Sequence, residues 1–198
     1  SMVIGPLLSR YGEAKIPNPG GCRIGARPID RHIEGLVQMG AAISYHSEDG
    51  YFYAKAEKLH GITYQFPKNT HTGTETLLLA AVLAEGETIL KNAAEEVEID
   101  DLINLLIRMG ADISRPEPRT IRVRGVKTLS GAEYTIMPDR NVEVTFALAA
   151  AITGGTITGV GSKRGNIKAC LDMFRLAGGL GREGDDHTAT YSGNGSYK

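Results

Sequence analysis

An α/β (α+β) fold built from repeated βαβαββ units is what this 198-residue sequence predicts. Three observations carry the prediction: one segment recurs at a fixed spacing, each copy switches between helical and strand periodicity, and glycines stand where helices must stop. Ile33, Leu36, Met39-Gly40-Ala41 and Ile43-Ser44 recur as Ile103, Leu106, Met109-Gly110-Ala111 and Ile113-Ser114, an offset of 70 held without drift. Leu59-x-Gly61 and Tyr64 recur at the same offset as Leu129-x-Gly131 and Tyr134. A weaker third copy follows about 68 residues on, with Leu171, Phe174 and Ala177-Gly178 in the places of Ile103, Leu106 and Met109-Gly110.

Each unit reads as an apolar helix, a short strand after glycine, a second helix ending in glycine, and two further strands. In the middle unit Leu77 to Ala84 is expected as the first helix, stopped by Gly86, with Thr88 to Leu90 as the strand. The second helix is expected over Ile99 to Met109. Ile99, Leu102, Ile103, Leu106 and Met109 keep helical spacing, Glu98 and Asp100 sit near the positive N-terminus, and Gly110 permits a left-handed stop. Alternating Ile121-Arg122-Val123-Arg124 is a half-buried strand, and Ala132 to Met137 is expected to close the unit as another. Sheets with one buried face then need helices packed against them. Gly154-Gly155 falls where Glu85-Gly86 stops the preceding unit's helix.

With 41% apolar residues the chain is long enough to bury a core as one domain or two small ones. A formal net charge of −1 gives no basic field for nucleic acid or a membrane surface. No uninterrupted apolar run approaches the roughly 20 residues of a membrane-spanning helix. Two cysteines, Cys22 and Cys170, are too few for a disulfide framework, and no leader pattern is recognisable, so a reducing cytoplasm is the expected compartment. Histidines 32, 46, 60, 71 and 187 show no paired metal-ligand spacing, and neither a metal nor a cofactor is expected. Asp185-Asp186 reads as a solvated turn.

The chemistry points to Gly20-Gly21-Cys22-Arg23-Ile24-Gly25-Ala26-Arg27-Pro28-Ile29-Asp30. A lone thiol stands between glycines and two guanidinium groups, with no apolar pattern to bury it. Nearby cations favour thiolate and lower a free-cysteine pKa of about 8.5, while glycines let backbone N–H groups approach an anion. A phosphate-bearing substrate fits such a loop. A tight turn holding a small residue is the alternative that local pattern leaves open. Cys170, by contrast, takes the place of Leu102 in the repeat and is expected to be a buried structural thiol.

Beyond that loop lie Gly5-Pro6-Leu7-Leu8-Ser9-Arg10-Tyr11-Gly12, Ala80-Ala81-Val82-Leu83-Ala84-Glu85-Gly86, Glu87-Thr88-Ile89, Asn92-Ala93-Ala94, and Pro138-Asp139-Arg140 with Thr145-Phe146 and Ala149-Ala150-Ala151. In this order and spacing they closely resemble the UDP-N-acetylglucosamine 1-carboxyvinyltransferases, the enolpyruvyl transferases that open bacterial peptidoglycan precursor synthesis; only the last thirty or so residues match weakly. The resemblance implies an inside-out α/β barrel of the enolpyruvyl-transferase type, helices enclosed by sheets, with six units, of which this chain holds the second, third and fourth. Residues 1–137 are then two units carrying the cysteine loop and UDP-sugar contacts, and residues 138–198 an incomplete third unit of a second domain. Extrapolating the repeat puts a last strand near residue 197, and Ser1 to Gly5 opens inside a helix pattern without a cap, so a partial chain is expected, inactive alone.

The resemblance also implies roles. Cys22 is the catalytic acid that protonates the methylene carbon of phosphoenolpyruvate, and the thiol alkylated by fosfomycin; a thiol tuned toward neutral pH serves as acid and as nucleophile. Arg27 touches both phosphoenolpyruvate and the nucleotide sugar, a task that suits a planar fork of donors. Pro28, Ile29, Asp30 and Arg31 complete the run that holds the uridine diphosphate part. Arg31 departs from the usual apolar residue and reads either as a diphosphate contact or as a solvated side chain. His32 either adjoins that pocket or makes a local hydrogen bond. Lys68, Asn69, Thr70 and His71 form the second nucleotide-sugar run, at a helix start that offers free N–H groups. His71-Thr72-Gly73 departs from the usual residues, and a plain helix entry capped by Thr72 or Thr74 is the competing account.

Phosphoenolpyruvate, UDP-N-acetylglucosamine and the remaining half of a parent chain are the partners implied. Two other readings stay open. One is a non-catalytic UDP-sugar-binding relative, motivated by the divergence around His71 and by Val142, where the family usually has glutamate. The other is a 3-phosphoshikimate enolpyruvyl transferase, against which the cysteine loop speaks because that branch lacks the thiol.

Overall fold

The computed structural model describes residues 2–20, 28–178, 180–183 and 187–193. The chain divides into two compact units, Ser1–Thr135 and Ile136–Lys198.

The first unit runs α1 (Ile4–Tyr11), β1 (Glu13–Pro17), α2 (Asp30–Gln38), β2 (Ala42–His46), β3 (Tyr51–Lys55), β4 (Thr63–Gln65), α3 (His71–Ala81), β5 (Glu87–Lys91), α4 (Val97–Arg108), β6 (Asp112–Glu117) and β7 (Thr120–Arg124). One sheet has the order β1-β3-β2, all antiparallel; the other has the order β4-β5-β7-β6, in which only β4 and β5 run parallel. The 70-residue repeat is thus a backbone repeat: α2-β2-β3 recurs as α4-β6-β7. Gly40 and Gly110, after the two helices, both turn left-handed, with φ of +102° and +100°. In β7 Ile121 and Val123 are fully buried while Arg122 and Arg124 lie on the other face, as their alternation requires.

Helix α3 holds this unit together. Gly73, Thr74, Thr76, Leu77, Leu78, Ala80 and Ala81 are all buried, which leaves only a narrow stripe through His71, Thr72, Glu75 and Leu79 open to solvent. Helices α1, α2 and α4 and strands β5 and β7 all pack on it. Against α2 the approach is close: a Cβ on Gly35 would stand 2.4 Å from Leu77 Cδ1 and 3.0 Å from its Cγ. Phe66, Leu36, Met39, Leu90 and Ile99 fill the space around it.

The second unit runs α5 (Arg140–Thr153), β8 (Thr156–Val160), α6 (Arg164–Leu176), β9 (Leu180–Glu183) and β10 (Thr188–Ser192), with an antiparallel sheet in the order β8-β10-β9. It is the third copy of the pattern. Asp139 caps α5 through Oδ1, which accepts from the amides of Asn141 and Val142 at 2.8 and 3.3 Å, and Gly154 ends it at φ +67°. Its small core is Ala147, Ala151, Ile167, Leu171, Phe174, Ala189 and Tyr191.

Four expectations are corrected. Helix α3 starts at His71, six residues before Leu77, because Thr70 rather than Thr72 or Thr74 caps it, and it ends at Ala81, so Gly86 turns the chain into β5 instead of stopping the helix. Helix α4 runs Val97–Arg108, a small shift from 99–109. Residues 132–137 form no strand; β4 is a strand because β5 lies beside it, and side-chain alternation supplies no such neighbour. Cys170 is half-exposed rather than buried, with its thiol pushed up by burial and then by the Glu143 charge. Cys22, Arg27 and Asp185-Asp186 lie outside the described residues.

Candidate functional site

The two sequence runs that name the candidate site become two neighbouring helix starts. Pro28 and Ile29 lead into α2, and Asp30 and Arg31 form its first turn. Ile29 makes no side-chain cap, so the amides of Asp30, Arg31 and His32 have no acceptor within the helix. Asp30 places a carboxylate at the positive end of the dipole. Pro28 and Asp30 are exposed, and Ile29 and Arg31 are half-buried. His32, one residue on, is only 3% exposed.

Lys68, Asn69, Thr70 and His71 approach and open α3. Lys68 is exposed. Asn69 is held from below, its Nδ2 donating to the Ala93 carbonyl at 3.1 Å. The Thr70 hydroxyl accepts from the Gly73 amide at 3.3 Å, which makes it the helix cap and leaves the amides of His71 and Thr72 without an intrahelical acceptor. His71 turns toward acids, with Nε2 3.3 Å from Glu75 Oε1 and Nδ1 3.8 Å from Glu96 Oε1. Burial pushes the Glu75 carboxyl up, and His71 opposes that rise.

The brace beneath this run is Asn92-Ala93-Ala94, a motif whose place in the sequence gave no hint of its task. Asn92 takes a left-handed conformation, φ +53°, and donates Nδ2 to the Phe66 carbonyl at 2.8 Å. Ala93 supplies the carbonyl that holds Asn69. The Ala94 amide donates to buried Thr74 Oγ1 at 3.0 Å, while that hydroxyl donates to the Thr70 carbonyl at 2.8 Å. Arg115 finishes the brace, Nη2 donating to the Ala94 carbonyl at 3.1 Å and Nε to Asp100 at 2.6 Å.

One direct side-chain bond joins the two helix starts: His32 Nε2 lies 3.0 Å from Thr72 Oγ1. Burial lowers the His32 pKa from 6.5, so the ring is neutral at neutral pH. Tyr64, 3% exposed, ties β4 to α2 by donating its hydroxyl to Glu34 Oε2 at 3.1 Å, and burial pushes its phenol up to about 12. The arrangement brings two helix N-termini together through the His32–Thr72 bond, with Arg31 in the first turn of one and Lys68 just before the other, a donor set suited to an anionic group with several oxygens. Among the described residues, no group of three or more His, Cys, Asp or Glu side chains is placed to hold a metal ion, and no helix is long and apolar enough to cross a membrane.

Repeated αβαββ units with a helix enclosed among other helices and strands define the enolpyruvyl-transferase class of fold. An enolpyruvyl transferase from Streptomyces tendae, NikO, superposes with a TM-score of 0.79 at 21% identity, over 97% of this chain and 46% of that one. An EPSP synthase from Acinetobacter baumannii superposes with a TM-score of 0.66 at 23% identity, over 98% of this chain and 45% of that one. The family model of EPSP synthase (3-phosphoshikimate 1-carboxyvinyltransferase) matches residues 1–196, and the chain belongs to that family.

Within it, relatives named UDP-N-acetylglucosamine 1-carboxyvinyltransferase are much nearer in sequence. The one from Acidobacterium capsulatum is 55% identical over 157 residues, covering 79% of this chain and 36% of that protein. The one from Acidiphilium cryptum is 49% identical over 193 residues, covering 97% of this chain and 44% of that protein. The chain therefore spans less than half the length of these relatives.

Proposed function

We propose that this chain is part of a transferase that moves the enolpyruvyl group of phosphoenolpyruvate to the 3-hydroxyl of UDP-N-acetylglucosamine, in the cytoplasm, as a step of peptidoglycan precursor synthesis. The supporting observation is the 49–55% identity to relatives bearing that name, against 21–23% to the structures of other enolpyruvyl transferases. In this reading residues 1–137 carry the cysteine loop and UDP-sugar contacts, while residues 138–198 begin a second domain of a longer chain.

Cys22 gives its proton to the methylene carbon of phosphoenolpyruvate, which becomes a methyl, while the sugar hydroxyl attacks the neighbouring carbon and gives up its own proton; the methyl then loses a proton as the C–O bond to phosphate breaks, so that the enol ether and inorganic phosphate form. Arg27 clamps the phosphate. The α2 run, Pro28 to Arg31, and the α3 run, Lys68 to His71, hold the diphosphate and nucleoside; the helix starts they open, joined by the His32–Thr72 bond, support that role. Fosfomycin alkylates the same thiol.

The test uses a polypeptide of the relatives' length that contains this sequence. It should release inorganic phosphate from phosphoenolpyruvate only when UDP-N-acetylglucosamine is present, and Cys22→Ala should abolish release. Release with shikimate 3-phosphate instead, or tight UDP-sugar binding without any turnover, overturns the proposal.

A further inference from the structure

We infer that His32 is a positioning residue that sets the second nucleotide-sugar run against the first through Thr72; this rests on the nucleotide-sugar reading above. His32 belongs to the first turn of α2 and Thr72 to the first turn of α3, 40 positions apart in the chain, and their side chains meet at 3.0 Å. The imidazole is 97% removed from solvent, whereas Thr72 is exposed, so the pair runs from the interior to the surface at the edge where both runs emerge. Nδ1 of His32 is buried and meets no side chain, the Ile29 backbone being its neighbour, so Thr72 is the one side chain that anchors this ring among the described residues.

That geometry has a directional consequence. With the proton on Nε2 the neutral ring donates to Thr72 Oγ1 and the hydroxyl proton points outward; with it on Nδ1 the hydroxyl donates to Nε2 and an oxygen lone pair points outward, and either way the Thr72 rotamer is fixed. The amides of His71 and Thr72, lacking intrahelical acceptors, open at the same helix start. An oxygen of a nucleotide diphosphate then meets an oriented hydroxyl beside two backbone donors, from a platform that the ring holds at fixed distance from Asp30 and Arg31. Rotation of an unanchored Thr72 would cost ligand affinity without disturbing the core, because the residue lies on the surface.

The test is calorimetric titration of UDP-N-acetylglucosamine into the relatives'-length polypeptide containing this sequence, with thermal melts alongside. Thr72→Val and His32→Phe should each weaken binding about tenfold, the loss expected for one oriented hydrogen bond. The double variant should be no weaker than either single one, and Thr72→Ser should restore affinity to within about twofold. Thr72→Val should leave the melting temperature close to wild type, which separates positioning from folding. Variants that bind as wild type does, or additive losses in the double variant, overturn the positioning role alone. Wild-type protein that fails to bind the UDP-sugar overturns the nucleotide-sugar reading and this role with it.

Discussion

Replacing Gly35 by alanine should weaken the first unit, although the same change on an open helix face would strengthen it. Glycine inside a helix costs up to about 1 kcal/mol relative to alanine, so propensity favours the substitution. Packing opposes it. The new Cβ would stand 2.4, 2.7 and 3.0 Å from Cδ1, Cδ2 and Cγ of Leu77, and Leu77 is 0% exposed, on the buried side of α3. Leu77 is walled in by buried neighbours, so α2 must move or the rotamer must strain, at about 1–3 kcal/mol. Less the propensity gain, the net effect is a loss of up to about 2 kcal/mol, which urea unfolding reads as a midpoint lowered by up to about 1 M. Leu77→Ala alone should cost about 2–5 kcal/mol through its cavity, but distinctly less in the Gly35→Ala background, where the new methyl partly fills the space. A Gly35→Ala midpoint equal to or above wild type, or strict additivity in the double variant, would refute this account. The consequence reaches the site, because α2 pushed off α3 separates His32 from Thr72.

Three further outcomes follow from the same structure. Because burial depresses the His32 pKa below 6.5, the unfolded chain takes up a proton there before the folded one does; stability should be full above pH 6.5 and decline as pH falls toward the folded value, and urea midpoints at pH 7.5 and 5.5 should differ less in His32→Gln. Asn92→Ala should cost about 1–2 kcal/mol, since it strips the bond to the Phe66 carbonyl and puts alanine at φ +53°, whereas Asn92→Gly, free of the conformational penalty, should cost less in parallel melts. Spectrophotometric titration should show the Tyr64 phenol among the late-ionising tyrosines, near pH 12, and Tyr64→Phe should reduce that late amplitude by one phenol while Tyr191, also pushed up by burial, remains in it.

Local pattern made much of the fold legible. The recurrence of Met39-Gly40-Ala41 as Met109-Gly110-Ala111 located two helix ends that share one left-handed turn, and the alternation Ile121 to Arg124 identified a half-buried strand. Pattern misled wherever a distant neighbour decides. The hydroxyl-rich entry to α3 offered several capping residues, and only the direction in which the chain arrives selected Thr70. Cys170 inherited the place of a leucine in the repeat, yet the smaller second unit leaves it half-exposed.

The candidate site divides the same way. The two runs, Pro28 to Arg31 and Lys68 to His71, came from the sequence through its resemblance to the UDP-N-acetylglucosamine 1-carboxyvinyltransferases, because a motif match is a one-dimensional record. Tertiary structure alone decided that His32 meets Thr72, that Asn92-Ala93-Ala94 carries Asn69 and Thr74, and that Gly35 admits Leu77. Those pairings join residues 20 to 42 positions apart, where local propensity carries no information and only the packing of α2, α3 and the β5–α4 turn fixes the distances.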